Sequence, residues 1–582
     1  MEKYVYEEYQ QLCFYTPVRS YYALSQSSRN RIFHSFEGFF RREVLPLIPS
    51  KLVRLLYSGN PRGRSPNNMI PEVAARIYIK CTGLTENYFL SHIHSDAAIQ
   101  FALGTEDLEE QPFSRNTFIR QRKRIQNYNK EFSADIWNEI TTSIDKAIAE
   151  KMGLSKRYSE VFQCAYRIDS MMIDGHGASM TRLEIIYTTI RLAVGVLHEL
   201  GIEEYIPTQL GHYLDKRDHN RLLYYKGTIS EIEDECKKHG VPLEEISSND
   251  GSKNQDNVTE KKKRRLELIA DLRIAVIIQE ISIAIAMLES VGLKDIPEYS
   301  NLIRILNEQT ILDANNKRVP KDKKDIEGSS LQNPYDPEMT YRSKNHMGFH
   351  GYSAFFAEQF TTEGNGVIVK RYFEQNIYSD QLFAQRFYNE FPDRNEKKIA
   401  VCADALFSSH ELHGLADQKG ISIFCASTTG KPPDAILAEF KFTEDRTQIV
   451  KCPQNHEPVA SEYEDKNGGQ IKITFSNTCC QECRYQKACH AITTKRNSHS
   501  LAVISLNQVI AATNIKMLKD PIFRAMVNKR NAVEGIPSVM RRKYDIDEIP
   551  YFGLQYAAES FYTSCTAHNV TKLYLKNVQI SE

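Results

Sequence analysis

Residues 349–426 constrain the fold more than any other stretch of the chain. Residues 349–360, rich in aromatic side chains, read as a strand. The segment Glu363-Gly364-Asn365-Gly366 then supplies the residues that tolerate a tight reversal, and 367–373 reads as the returning strand of a hairpin. A helix is expected over 379–389. Residues 398–406 form a short, nearly unbroken apolar run that ends in Asp404, as a strand covered on both faces does. Ser408-x-x-Glu411 has the spacing of a capping box for a further helix, and 421–426 is another apolar strand. Residues 166–173 add an earlier strand carrying Asp169. A hairpin combined with strand–helix–strand units requires a mixed sheet flanked by helices, an α/β arrangement.

The rest of the chain reads mainly as helix. Apolar residues recur at helical spacing over 44–57 and 73–90, and long helices are expected over 181–200, 260–291 and 518–542, the last of these carrying Glu534. Residues 246–260 and 313–335 are polar and read as loops, the former flexible. At 582 residues the chain exceeds one ordinary core and predicts three or four domains. The expected boundaries are a helical N-terminal domain at 1–150, a first core strand at 160–175, a helical insertion at 176–340 and a core at 341–439. A cysteine-rich insertion at 440–495 follows, then a core helix and tail at 496–582. The most apolar stretch, 266–288, is interrupted by Glu267, Asp271, Arg273 and Glu280, which argues for a buried helix over a membrane span. The first residues lack the basic and apolar regions of a secretory signal, and the cysteines lack the pattern of a secreted disulfide framework. A reducing, cytoplasmic setting is therefore expected.

Formal net charge is zero, so attraction to a polyanion must come from local clusters. One comprises Arg41, Arg42, Lys51, Arg54, Arg62 and Arg64. A second, SRNTFIRQRKRI, has Ser114 as a helix cap, Phe118 and Ile125 as core contacts, and Arg115, Arg120, Arg122, Lys123 and Arg124 around the helix. That pattern predicts either a solvated helix or a helix-turn-helix-like element gripping DNA phosphates.

Three acids fall where this layout makes them converge. Asp169 lies on the first strand, Asp404 ends the buried strand, and Glu534 sits on the last helix, on one face with Arg530 and Arg541. Carboxylates so arranged can share two Mg²⁺ or Mn²⁺ ions, which clamp the attacking and leaving oxygens of an in-line phosphoryl transfer. Arg530 is either an ion-pair partner or a phosphate contact. Asp174 is the rival to Asp169, but five residues along a strand it points to the other face. Separately, Cys452, Cys480, Cys483 and Cys489, with His456, Cys479 and His490 as alternates, have the spacing of a closed tetrahedral zinc site that folds its own segment.

These residues resemble the DDE transposases of bacterial insertion sequences, whose core is ribonuclease H-like. Asp169-Ser170-Met171-Met172-Ile173 is similar to that family's Asp-Ser-Thr motif, with Met for Thr. Ala403-Asp404-Ala405-Leu406-Phe407 is similar to its Ala-Asp-Gly-Ala-Tyr, with Ala for Gly. Arg530-Asn531-Ala532-Val533-Glu534-Gly535 differs from Arg-Asn-Gly-Val-Glu-Gly only at Ala532. Ser343-Lys344 with Gly351-Tyr352, and the N-terminal segments GRSPNNMIPEVAARIYI, IQFALG and FSRNTFIRQRKRI, extend the resemblance. It implies an enzyme that binds the terminal inverted repeats of its element as double-stranded DNA. It frees a 3′-OH at each end and joins it to target DNA at one metal pair, without a protein–DNA covalent intermediate. It also implies a homodimer in the active complex, a bacterial cytoplasmic location at the nucleoid, and a cysteine-rich insertion before the Glu. A domesticated DNA-binding protein without catalysis, or a nuclease that only hydrolyses, are the alternatives.

Overall fold

The computed structural model describes residues 21–57, 69–108, 110–177, 180–215, 258–344, 347–425, 432–443, 446–466, 468–489, 491–492, 499–547 and 549–581. The expected loop at 246–257, Arg62, Arg64 and His490 lie outside these.

Helices α1 (Met69–Thr82), α2 (Arg115–Phe132) and α3 (Ile136–Lys151) lead to strand β1 (Cys164–Asp174). Helices α4 (Arg182–Glu199), α5 (Val258–Ser290) and α6 (Pro297–Gln309) intervene before β2 (Thr340–Lys344), β3 (Met347–Phe360) and β4 (Gly366–Gln375). Next come α7 (Asp380–Asn389), β5 (Ile399–Ala403), α8 (His410–Gln418) and β6 (Ile421–Cys425). Strands β7 (Ala460–Glu464), β8 (Gln470–Ser476) and β9 (His499–Ser505) precede α9 (Leu506–Met517), α10 (Pro521–Asn528), α11 (Gly535–Tyr544) and α12 (Leu554–Ser581).

The main sheet runs β4-β3-β1-β5-β6, with β2 beside the first half of β3. β3 is antiparallel to β1 and β4, whereas β1, β5 and β6 are mutually parallel. This is the expected mixed sheet with flanking helices. The hairpin supplies the antiparallel half, and the strand–helix–strand unit β5-α8-β6 supplies the parallel half. On one face α7 and α8 bury Phe383, Phe387 and Leu412 against Ile168, Phe355 and Val401. On the other, Met171, Phe356 and Ile368 join a continuous apolar cluster that includes N-terminal residues such as Trp137 and α12 residues such as Phe561.

Helix α12, which the sequence reading left as a tail, is central to this core. Trp137 Nε1 donates to Thr563 Oγ1 at 3.0 Å, and Arg76 pairs with Glu559 at 2.9 Å. Asp145 of α3 receives Arg371 of β4 at 2.6 Å and Asn569 of α12 at 2.8 Å, so three distant segments meet at one buried carboxylate. Buried polar groups of this kind persist only when satisfied, and they then fix one packing arrangement.

Several local expectations change. The 44–57 region is a series of short turns, broken at Pro46 and Pro49, and 73–90 divides at Gly83, whose φ of +72° ends α1. The helical insertion contains a third helix, α6, packed with α4 and α5 around Leu302 and Ile305. Ser409, not Ser408, caps α8 by accepting from Leu412 N, while Ser408 bonds His413. The single helix expected over 518–542 is α10, a 3-10 turn over Lys529–Ala532, and α11.

Candidate active site

Asp169 lies midway along β1, opposite Phe356 of β3, in the middle of the sheet. Its Oδ1 accepts from Ser170 N at 2.8 Å. Burial pushes its carboxyl up to about 6, Asp404 adds to the rise, and Arg530 and Lys344 oppose it. Asp404 follows the last residue of β5, the neighbouring parallel strand, and its Oδ1 caps the next turn by accepting from Leu406 N at 2.8 Å.

Glu534 sits at the junction between the 3-10 turn and α11, with right-handed helical backbone angles. The third element therefore reaches the sheet at a joint, where Gly535 and Pro537 follow. Arg530 connects the acids. Its Nη1 meets Glu534 Oε1 at 2.6 Å and its Nη2 lies 3.7 Å from Asp404 Oδ2. Arg530 is only 16% exposed whereas Glu534 is 58% exposed, so the guanidinium is held while the glutamate is free to reorient. Arg530 Nε is buried without a hydrogen-bond partner.

The joint is held to the sheet by groups that the motif reading missed. Arg167, two residues before Asp169 and on the same face, pairs with Glu358 across the β1–β3 register, and Glu358 also receives Lys572 of α12. Arg167 Nη1 donates to Lys529 O at 3.2 Å, next to Arg530. Cys402 Sγ, just before Asp404, contacts Met526 O of α10 at 3.2 Å. Gly366 makes the ion cluster possible, since a Cβ there would fall 2.3 Å from Glu358 Oε1. The available signal was a lone arginine in CAYRIDS and a lone glutamate in AFFAEQF, each inside an apolar strand. Charges so placed seldom bury unless they meet one another.

Asp174 belongs to a separate group at the exposed end of β1. Burial raises its carboxyl, and its charged neighbours are Asp547, Arg541 and His350. Arg530 lies in the 3-10 turn over Lys529–Ala532, outside the helix that carries Arg541. Arg541 bonds Asp547 Oδ2 at 2.8 Å and Met172 O at 2.7 Å.

Helix α2 forms as expected, capped by Ser114 with Phe118 and Ile125 buried. Arg115, Arg120 and Lys123 are exposed. Arg122 is a correction to the surface cluster: it is buried, pairs with Glu86 and stacks on Tyr551 at 4.2 Å. Arg124 is half-buried between Glu72, at 3.4 Å, and the Tyr57 ring. In the other cluster Arg41 pairs with Glu106 at 3.1 Å and Arg42 covers Phe33.

In the cysteine-rich segment, Cys452, Cys480, Cys483 and Cys489 line one cavity of about 30 Å³, together with His456 and Cys479. Burial pushes the Cys489 thiol up to about 12, with further contributions from Cys483, Cys452 and Cys480. The spacing thus brings these sulfurs into one neighbourhood beneath β8 and β9. Among the described residues, however, no group of three or more His, Cys, Asp or Glu side chains is set to hold a metal ion. No helix among them is long and apolar enough to cross a membrane.

Residues 451–574 match the transposase DDE domain family. The match covers the cysteines, Arg530, Glu534 and most of α12, about a fifth of the chain; Asp169 and Asp404 lie outside it. No curated protein and no solved structure matches the chain.

Proposed function

Since residues 451–574 carry the match of a DDE transposase, we propose that the chain binds the ends of its own element and carries out strand cleavage and strand transfer with Asp169, Asp404 and Glu534. The observation that supports this reading most is Arg530, which meets Asp404 and Glu534 on one guanidinium and is a charged neighbour of the half-buried Asp169. Three acids from β1, the end of β5 and the α10–α11 joint, each neighbouring Arg530, would supply the carboxylates that a phosphoryl-transfer centre needs.

The donor set fits hard divalent cations. Asp169 is a half-buried acid whose carboxyl is raised by desolvation, and all three side chains offer only oxygen. Asp169, Asp404 and Glu534 would hold two Mg²⁺ or Mn²⁺ ions, which when bound activate the attacking hydroxyl and stabilise the leaving oxygen. Arg530 neutralises Asp404 and Glu534 in the protein alone. Its guanidinium is also the group that would contact a DNA phosphate. Arg167 and Cys402 keep the joint in register with the sheet. Arg115, Arg120 and Lys123 supply phosphate contacts along α2, and Arg124 a partial one. Cys452, Cys480, Cys483 and Cys489 would hold a structural Zn²⁺, which would fold the insertion. A homodimer pairs the two ends.

The test is Mg²⁺- or Mn²⁺-dependent nicking of duplex DNA ending in the inverted repeats that flank the gene. Asp404→Ala should lower it by more than about a hundredfold while leaving DNA binding in place. Protein that binds those ends but never nicks them with either metal refutes catalysis. Nicking without strand-transfer products would reduce the assignment to a nuclease.

A further inference from the structure

A groove of about 530 Å³ lies between α1, α2 and the segment running from α11 into α12. Beside Glu86, Asp545 and Glu559, it has three further kinds of lining. Arg115 and Lys543 supply exposed cationic groups, and Arg115 has no ion-pair partner among the described residues. Tyr551 and Tyr556, with Ile79 and Leu84, supply flat and apolar surface. Arg76 is the third: its side chain is 10% exposed and held by Glu559 through Nη2, and its Nη1 is buried without a partner.

We propose that this groove receives one unstacked nucleotide of the bound DNA, its phosphate on Arg115 and Lys543 and its base against Tyr551 and Tyr556. Cations alone would suit any anion, and tyrosines alone any flat apolar group. A nucleoside phosphate needs both, and stacking on an aromatic side chain contributes about 1–3 kcal/mol per base. The volume is within the range of small-ligand clefts. Position assigns the nucleotide to DNA. One wall is the α2 face bearing Arg115 and Ile119, and Lys543 lies roughly 14 Å along α11 from Glu534. The inference rests on the DNA reading above.

The experiment uses the full chain and a duplex carrying the gene's flanking repeat, with 2-aminopurine walked through its terminal positions. Complex formation should raise the fluorescence several-fold at one position. Arg115→Ala/Lys543→Ala and Tyr556→Ala should abolish most of that rise, with circular dichroism showing both variants folded. Flat fluorescence at every position, in a complex that forms and nicks, overturns the groove and leaves the transposase reading standing. No complex at all overturns both. A rise that both folded variants retain overturns the groove as well. The source of the nucleotide is tested with dAMP: if it alone raises the melting temperature as much as the duplex does, the groove serves a free nucleotide and the DNA assignment is overturned.

Discussion

The candidate catalytic end of the sheet and the cysteine-rich insertion are both built from a few chemically distinctive residues, but by opposite means. The insertion gathers its cysteines from within 452–489, by local chain reversals around Cys452, Cys480 and Cys483. The three acids come from positions 169, 404 and 534, on β1, after β5 and at the α10–α11 joint; β1 pairs with β5, α10 contacts β5 through Cys402, and Arg530 pairs with Asp404 and Glu534. A site of the first kind, with zinc bound as proposed, would draw its stability from the ion. Sites of the second kind are placed by buried groups that never touch the substrate.

The largest effect should fall on the insertion. Removing zinc, with an apparent binding free energy of about 10–16 kcal/mol in small structural sites, should expose 440–495 to proteolysis while α12 and the sheet stay folded. Atomic absorption should find one zinc per chain, lost in Cys480→Ser. Undiminished protease resistance in the metal-free protein would show that the small core around Ile471, Ile473 and Ile504 suffices.

Arg167→Met tests the other half of the comparison. It strands Glu358 beside Lys572 and releases the Lys529 carbonyl, and a broken buried pair costs about 3–5 kcal/mol. Denaturant unfolding measures the loss. A loss below about 1 kcal/mol would mean that the ion cluster does not hold the joint.

Asp169→Asn gives a smaller effect of opposite sign. The carboxyl ionises near 6 in the folded chain against 3.8 ordinarily. The folded state therefore binds the extra proton between those values, and stability falls as pH rises through them. The penalty is absent below pH 4 and complete above 6. The asparagine variant should thus match the wild type at pH 4 and exceed it by about 1–3 kcal/mol at pH 7.5, when both are melted without divalent metal. Equal melting at both values would rule out the raised carboxyl.

The smallest effect separates two readings of one cap. Ser409→Ala should cost about 1 kcal/mol, and Glu411→Gln almost nothing, because Ser409 alone caps α8. Thermal melts resolve the difference.

Much of the fold was legible because its signals are local. The hairpin turn at Gly364–Gly366, the apolar run into Asp404, and the Ser114 cap depend on a few consecutive residues. The break between α10 and α11 was not, since Lys529–Gly535 has no proline and its residues keep right-handed angles. Nor was the burial of Arg122, whose partner Glu86 and stacking ring Tyr551 come from elsewhere in the chain.

The sequence by itself determined which residue types are available: three acids in recognisable motifs, four cysteines at ligand spacing, and an alternation that requires a mixed sheet. Spacing and periodicity carry that information because backbone geometry repeats over a few residues. Tertiary structure decided which charges are used internally. It joined Arg167, Glu358 and Lys572 into one buried cluster, set Arg530 between Asp404 and Glu534, and turned a presumed tail into α12 at the centre of the core. Those pairings follow from burial across hundreds of residues, where each charge must find a partner or stay in water.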